Sequence, residues 1–257
     1  MKNRINQEPT LVNKILSAFF VVMVFVLFMW FSVDSINLKL DFTTLFKYKQ
    51  RLWDGFVMTI VISIGSLIIS LLIGAITAIG QKSRILAISY FSKVYVQLIR
   101  GTPLLVQIYF FYYIIGTAWG VANRYVAGII ILSIFEGAYI SEIIRGGLES
   151  IDNQQYEIAK SIGLTPAKTF RLVTFPILMA RIIPALAGQF SSIIKDSSLL
   201  SVIALIELTQ TIQEISADNF RMFENYIFVG FLYFILTFTV SMISGIFERR
   251  YKHENRA

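Results

Sequence analysis

Six long apolar runs dominate this chain, at about 15–33, 56–79, 95–116, 124–145, 182–206 and 226–247. A helix rises about 1.5 Å per residue, so roughly 20 apolar residues cross the roughly 30 Å hydrocarbon core of a bilayer. Inside lipid the backbone has no water to bond, and a helix satisfies its polar groups within one segment. Of the 257 residues, 56% are hydrophobic and only 15% are charged, too little charge for an ordinary soluble domain of this length. The expected fold class is therefore an all-α, multi-pass membrane protein.

The formal net charge of +7 invites a nucleic-acid reading, but the placement of the charges excludes it. With the N-terminus in the cytoplasm, sixteen basic residues fall on inner segments: Lys2, Arg4 and Lys14; Lys82, Arg84, Lys93 and Arg100; Arg145, Lys160, Lys168, Arg171 and Arg181; Arg249, Arg250, Lys252 and Arg256. Six fall on outer segments: Lys39, Lys47, Lys49, Arg51, Arg124 and Arg221. This asymmetry is the positive-inside pattern, and it predicts both termini and the 145–181 loop on the cytoplasmic side. There is no cysteine, which removes disulfide and thiol chemistry. The first run follows a short basic segment, as in a signal peptide, but it is too long for a typical signal core. No small-x-small site follows it, so a retained anchor is expected. His253, the single histidine, is expected to be solvated in a charged tail.

The chain has no low-complexity tract and no inverted repeat. It reads as one membrane domain with one substantial cytoplasmic loop and two outer connections, 34–55 and 207–225. The second outer connection is predicted to be a short amphipathic helix at the outer surface. Ser66, Ser70, Gly74 and Ala78 recur every fourth residue, and Ser133, Gly137 and Ser141 repeat the pattern in the fourth run. Such ridges let helices approach closely in lipid, where packing drives association. Arg100-Gly101-Thr102-Pro103 is a break near the inner end of the third run, either a hinge or a static kink.

The polar stretch from Glu157 to Pro176, "EIAKSIGLTPAKTFRLVTFP", separates the fourth and fifth runs. Helix-forming residues extend from Ser150 to Ser161, Gly163 permits a turn, and Thr165 is placed to cap a second helix with Pro166 at its first position. Pro176 is expected to mark where the chain turns toward the membrane. Two readings of this helix–turn–helix stand: a docking element for another protein, or an amphipathic hairpin on the bilayer.

Glu136, Lys195 and Asp196 fall inside apolar runs, where each charge costs about 2.5–3.5 kcal/mol on a lone lipid-facing helix. Counting residues puts Glu136 about 13 Å from the inner face and Lys195 roughly 20 Å from the inner end of its run. These similar depths fit either a polar cavity that grips an amino-acid zwitterion or a buried salt bridge. A near match to a phosphate loop, "AITAIGQKS" at Ala75–Ser83, lacks the first glycine, carries Gln81 between Gly80 and Lys82, and follows a membrane run rather than a strand.

Glu157, Ala159, Gly163, Val173, Phe175 and Pro176 match the spacing E-A-A-x3-G-x9-I-x-L-P, with Ile158, Val173 and Phe175 as conservative departures. The loop thus resembles the coupling loop of bacterial ABC importer permeases. "LIRGTPLLVQIYFFYY" (98–113), "FEGAYISEIIRGGLESID" (135–152) and "KDSSLLSVIALIEL" (195–208) resemble the polar amino acid branch of that family. The resemblance covers about residues 50–250. It implies a five-helix type I permease core over 51–250, with the loop at about 149–176. Residues 1–50 then carry an additional N-terminal transmembrane helix, and 251–257 form a cytoplasmic tail.

The resemblance further implies that Glu157, Ala159, Gly163 and Pro176 couple the chain to an ATPase. It implies a mid-membrane substrate pocket lined by Gln189, Lys195, Asp196 and Ser198, to which Glu136 is added as a less typical member that hints at a cationic substrate. The implied partners are two copies of an ABC ATPase subunit, a second permease, identical or paralogous, an extracytoplasmic amino-acid-binding protein, and membrane lipid. ATP is expected on the ATPase, with no cofactor and no covalent chemistry on this chain. The rival readings are a secondary amino-acid transporter or channel acting alone, although such carriers are usually longer and built from repeats, and a structural membrane scaffold.

Overall fold

The computed structural model describes residues 10–35, 40–121 and 123–254. Lys2, Arg4, Lys39 and Arg256, all part of the charge count, lie outside the described residues, as do the side chains of Arg249, Arg250, Lys252 and His253. The described residues form helices and turns, with no strand among them. They fall into two compact units, one up to Phe42 and one from Thr43 onward.

The first unit holds α1, Leu11–Ser35. Phe19, Phe25, Trp30 and most of its other described apolar side chains are exposed within the unit. An all-round apolar surface suits a helix meant to be covered by lipid.

The second unit starts with a 3-10 turn, Thr43–Tyr48, that leads into α2, Lys49–Gln81. Then come α3, Leu86–Gly101; α4, Leu104–Tyr109, extended by a π-helical stretch Phe110–Gly116; and α5, Arg124–Glu149. Two short helices follow, α6, Asn153–Ser161, and α7, Pro166–Thr169. A π-helical stretch, Phe170–Thr174, joins α7 to α8, Phe175–Asp196, and a 3-10 segment Ser197–Ile203 extends it. The unit ends with α9, Leu208–Asn219, and α10, Met222–Glu254. Among the described residues of the chain, five helices are long and apolar enough to cross a membrane, or six if α3 and α4 make one span.

The small-residue ridges explain the centre of the bundle. α2 and α5 form the most extensive helix pair, and Ser66, Ser70, Gly74, Ala78, Ser133, Gly137 and Ser141 are all buried. The fit is tight: a Cβ added at Gly74 would lie 2.5 Å from Ile140 Cγ2, and one at Gly137 would lie 2.6 Å from Ile73 Cγ2. Ser66 and Ser133 donate across the seam to the carbonyls of Ile129 and Ser66, at 3.4 and 3.3 Å. Around this seam Ile62, Ile108, Leu132, Ile193, Leu200 and Leu205 form the main apolar core.

One sequence expectation is sharpened and two change. The break expected at Arg100–Pro103 in the third run is a sharp bend, α3 and α4 meeting at 111°. Pro103 pushes the residue before it out of the helical region, and Thr102 is extended at φ −126°, ψ 146°. Pro176 does not turn the chain. It sits in the first turn of α8, and the helical path from Pro166 runs on through it to Ile203. The wider π-helical turn just before it gives room for the proline ring, which would crowd a regular α-helix. Finally, the expected amphipathic helix exists as α9, but its apolar face is packed into protein. Leu208, Ile212 and Ile215 are buried with Leu45, Leu52 and Val229.

Candidate functional site

Two regions hold the sequence-derived candidates, and different physics builds each. The first is the loop between α5 and α8. Asp152 caps α6, its side chain accepting from Gln154 N at 3.0 Å. The helix ends where Gly163 takes φ +76°, a left-handed conformation that costs other residues roughly 1 kcal/mol or more. Gly163 N and Leu164 N then bond the carbonyls of Lys160 and Ala159, each at 3.0 Å, which closes the helix end. Thr165 caps α7 by accepting from Lys168 N at 3.4 Å, with Pro166 just inside.

The helix–turn–helix expected from the sequence is therefore present, although α6 starts at Asn153 rather than Ser150, which ends α5 instead. Ala159 is buried under the turn. Glu157, Gly163 and Pro176 are exposed, and so are Ile158, Ile162, Phe170 and Leu172. The hairpin thus has a folded interior and a partly apolar outer surface. Its base is fixed: Arg181 donates to Ser150 Oγ at 2.6 Å, and Ile151 packs with Leu178 and Ile182.

The second region lies between α5 and α8. Glu136 is fully buried near the middle of α5. Gln189 of α8 donates to one of its carboxylate oxygens, and the other oxygen, Oε1, has no hydrogen-bond partner among the described residues. Asp196, half-buried at the end of α8, is within electrostatic reach of Glu136. Lys195 is exposed and within electrostatic reach of Asp196, and Ser198 Oγ donates to the Lys195 carbonyl at 2.6 Å. No ion pair joins Glu136 to Lys195 among the described residues, so the salt-bridge reading from matching depths does not hold. Depth was counted along each helix, whereas pairing depends on rotation about it; α8 turns Gln189 and Asp196, not Lys195, toward α5.

Sequence reasoning missed two other polar groups. Gln107 holds the α3–α4 break, its amide donating to Ile99 O at 2.7 Å and to Thr102 Oγ1 at 2.7 Å. Its signal was a lone amide within an apolar run. Glu207 is buried where α9 meets α2 and α10. It caps α9 by accepting from Thr209 N and Gln210 N at 2.9 and 2.8 Å, and it accepts from Tyr233 Oη at 2.7 Å. Burial outweighs these bonds and pushes its carboxyl up to about 7. Its signal was the acidic residue just before an amphipathic stretch.

Among curated proteins, the L-cystine transport system permease protein of Bacillus subtilis is 36% identical over 207 residues, covering 79% of this chain and 88% of that protein. The glutamine transport system permease protein of Escherichia coli is 34% identical over 217 residues, covering 84% of this chain and 99% of that one. Among solved structures, an amino acid ABC transporter crystallised with histidines aligns with a TM-score of 0.77 and 35% identity, over 83% of this chain and 100% of that chain. The MetNI methionine ABC transporter, at 17% identity and a TM-score of 0.63 over 80% of this chain and 97% of that one, shares the fold. Residues 70–253 match the family described as the binding-protein-dependent transport system inner membrane component, and this chain, with its ridged bundle and polar loop, belongs to that family.

Proposed function

We propose that this chain is the membrane-spanning permease of an ABC importer, and that it carries a polar amino acid with a cationic side chain through a polar site between α5 and α8. The observation that carries the cationic part is the Glu136 carboxylate. It is fully buried inside a membrane helix, with one oxygen held by Gln189 and the Asp196 carboxyl group beside it. Two acidic groups buried side by side are costly unless a donor or cation meets them. With Asp196 nearby, the field there favours ammonium or guanidinium groups. Gln189 and Asp196 line the site with Glu136, and Lys195 and Ser198, at the end of α8 beside Asp196, are the groups left to meet a substrate carboxylate.

The relatives named above transport cystine and glutamine, which supports an amino acid as cargo. The hairpin Asn153–Thr169 is the element that meets the ATPase: Glu157 offers an exposed charge, Ala159 packs the helix from beneath, Gly163 sets the turn and Pro176 starts the helix leading back into the membrane. ATP binds on that separate subunit. Two ATPase copies, a second permease and an extracytoplasmic binding protein complete the assembly, with both termini of this chain in the cytoplasm. Uptake by the reconstituted transporter tests the cationic reading. Glu136→Gln should weaken transport of a cationic amino acid about tenfold or more, as loss of a charged partner predicts, and that of a neutral one much less. Equal effects on both would reject it.

A further inference from the structure

The inner ends of α2, α3 and α5 surround a cleft of about 650 Å³, whose lining includes Lys82, Lys93, Gln97, Arg100, Glu142 and Arg145. Its ion pairs form a chain across three helices. Lys82 reaches Glu149 at 3.9 Å, Arg145 reaches Glu149 at 2.7 Å and Glu142 at 2.8 Å, and Arg100 reaches Glu142 at 3.0 Å. Arg100 also lies over the Tyr139 ring, 5.4 Å from its centre.

The charges do not balance. Four basic side chains line the cleft against two carboxylates, and Lys93 has no ion pair among the described residues. Glu142 is already shared by Arg100, Arg145 and Gln81, the last at 3.3 Å. What remains is an excess of cationic and amide donors in a concave site. The site lies where two membrane helices end, α2 at Gln81 and α5 at Glu149.

The faces of α3 narrow the ligand further. At about 100° per residue, Ser89, Ser92, Val96 and Ile99 share one buried face. Lys93 and Arg100 form the next strip around the helix, and beyond them Tyr90, Phe91, Val94 and Leu98 are exposed, Phe91 at 78%. A charged strip between a packed face and an exposed apolar face matches a molecule with an anionic head and a hydrocarbon tail.

We propose that this cleft binds the phosphate headgroup of an anionic phospholipid, with Lys93 and Lys82 facing the phosphate and the acyl chains lying along the exposed face of α3. Basic pockets between membrane helices at the cytoplasmic boundary suit such headgroups, and the positive-inside count assigns this end of the bundle to the cytoplasmic leaflet. The bound lipid would brace α3 against α5, one turn before the hairpin begins.

The test uses the purified transporter, this chain together with its partner subunits, in detergent. Native mass spectrometry counts retained phosphatidylglycerol and phosphatidylcholine. Phosphatidylglycerol should be held preferentially. Lys93→Gln should lower its retention about fivefold, the equivalent of one lost charge contact at the surface, and Lys93→Arg should preserve it. Lys93 is exposed, so these variants should assemble; Gln97→Glu, which adds a negative charge to the cleft wall, is a second variant expected to lower retention. Equal retention of the two lipids, or no response to Lys93→Gln and Gln97→Glu, would overturn the proposal. Displacement of phosphatidylglycerol by millimolar inorganic phosphate would reassign the cleft to a soluble anion and overturn the lipid assignment.

Discussion

At the scale of single residues, environment rather than residue type sets the role. Gly163 has open space around a would-be side chain, yet its φ of +76° disfavours any L residue. Gly163→Ala should therefore cost about 1 kcal/mol locally, leave membrane insertion intact and loosen the hairpin. The expected readout is ATP hydrolysis by the assembled transporter that is poorly coupled to uptake; normal coupling would show that the turn geometry is dispensable. Glu207 gives a pH prediction. Burial pushes its carboxyl up to about 7 in the folded state, against roughly 4.3 in an unfolded chain. The folded state therefore holds the proton more tightly. Stability from this group is fully present below about pH 4.3 and lost as pH rises through about 7. Thermal unfolding in detergent should show this loss in the parent, and Glu207→Gln should flatten it.

At the scale of elements, the α2–α5 seam and the α3–α4 break obey opposite rules. The seam is closed by the absence of side chains. Gly74→Ala would force a Cβ to 2.5 Å from Ile140 Cγ2 and 3.1 Å from the Ser141 backbone nitrogen. Ile140 is β-branched and fully buried, so it has little room to yield. Gly74→Ala should destabilise the protein by about 1–3 kcal/mol, measurable as a lowered unfolding temperature, whereas Gly230→Ala, with nothing within 4 Å of its would-be Cβ, should be neutral. The break is instead held by a side chain. Gln107 supplies the donors that the interrupted helix leaves the carbonyls of Ile99 and Thr102 without. Unmet carbonyls inside a membrane protein cost several kcal/mol, so Gln107→Leu should lower stability more than a surface change would, although leucine suits lipid better.

For the whole molecule, a separate set of ion pairs and polar contacts closes each end of the bundle. At one end Arg51 of α2 pairs with Glu214 of α9, and Tyr48 bonds Asp218. Arg124 at the start of α5 donates to Ala204 O at 2.6 Å at this same end. At the other end Lys82, Arg100 and Arg145 meet Glu142 and Glu149. Reporter fusions in the 207–225 segment and at residue 257 should therefore label opposite sides of the membrane; labelling on the same side would break the topology. Affinity purification of this chain from its host should bring down an ATPase subunit, and charge reversal by Glu157→Lys should weaken that association.

The sequence by itself determined what depends on neighbours along the chain. Run length made the apolar segments helical, Gly163 and Thr165 shaped the hairpin, and every-fourth-residue small side chains marked the packed ridges; loop charges predict a direction of insertion, which the reporter fusions test. Tertiary structure decided what depends on rotation and approach between helices. Equal depth along two helices said that Glu136 and Lys195 could meet, but the turn of α8 presents Gln189 to Glu136. Thr102-Pro103 announced a break, but its 111° bend follows from how α3 packs along the inner ends of α2 and α5 while α4 enters the core. The amphipathic pattern of α9 named an apolar face without naming its cover, which proved to be α2 and α10 rather than lipid. A side chain's partner is fixed by the crossing of two segments distant in sequence, and that crossing has no local signal in either one.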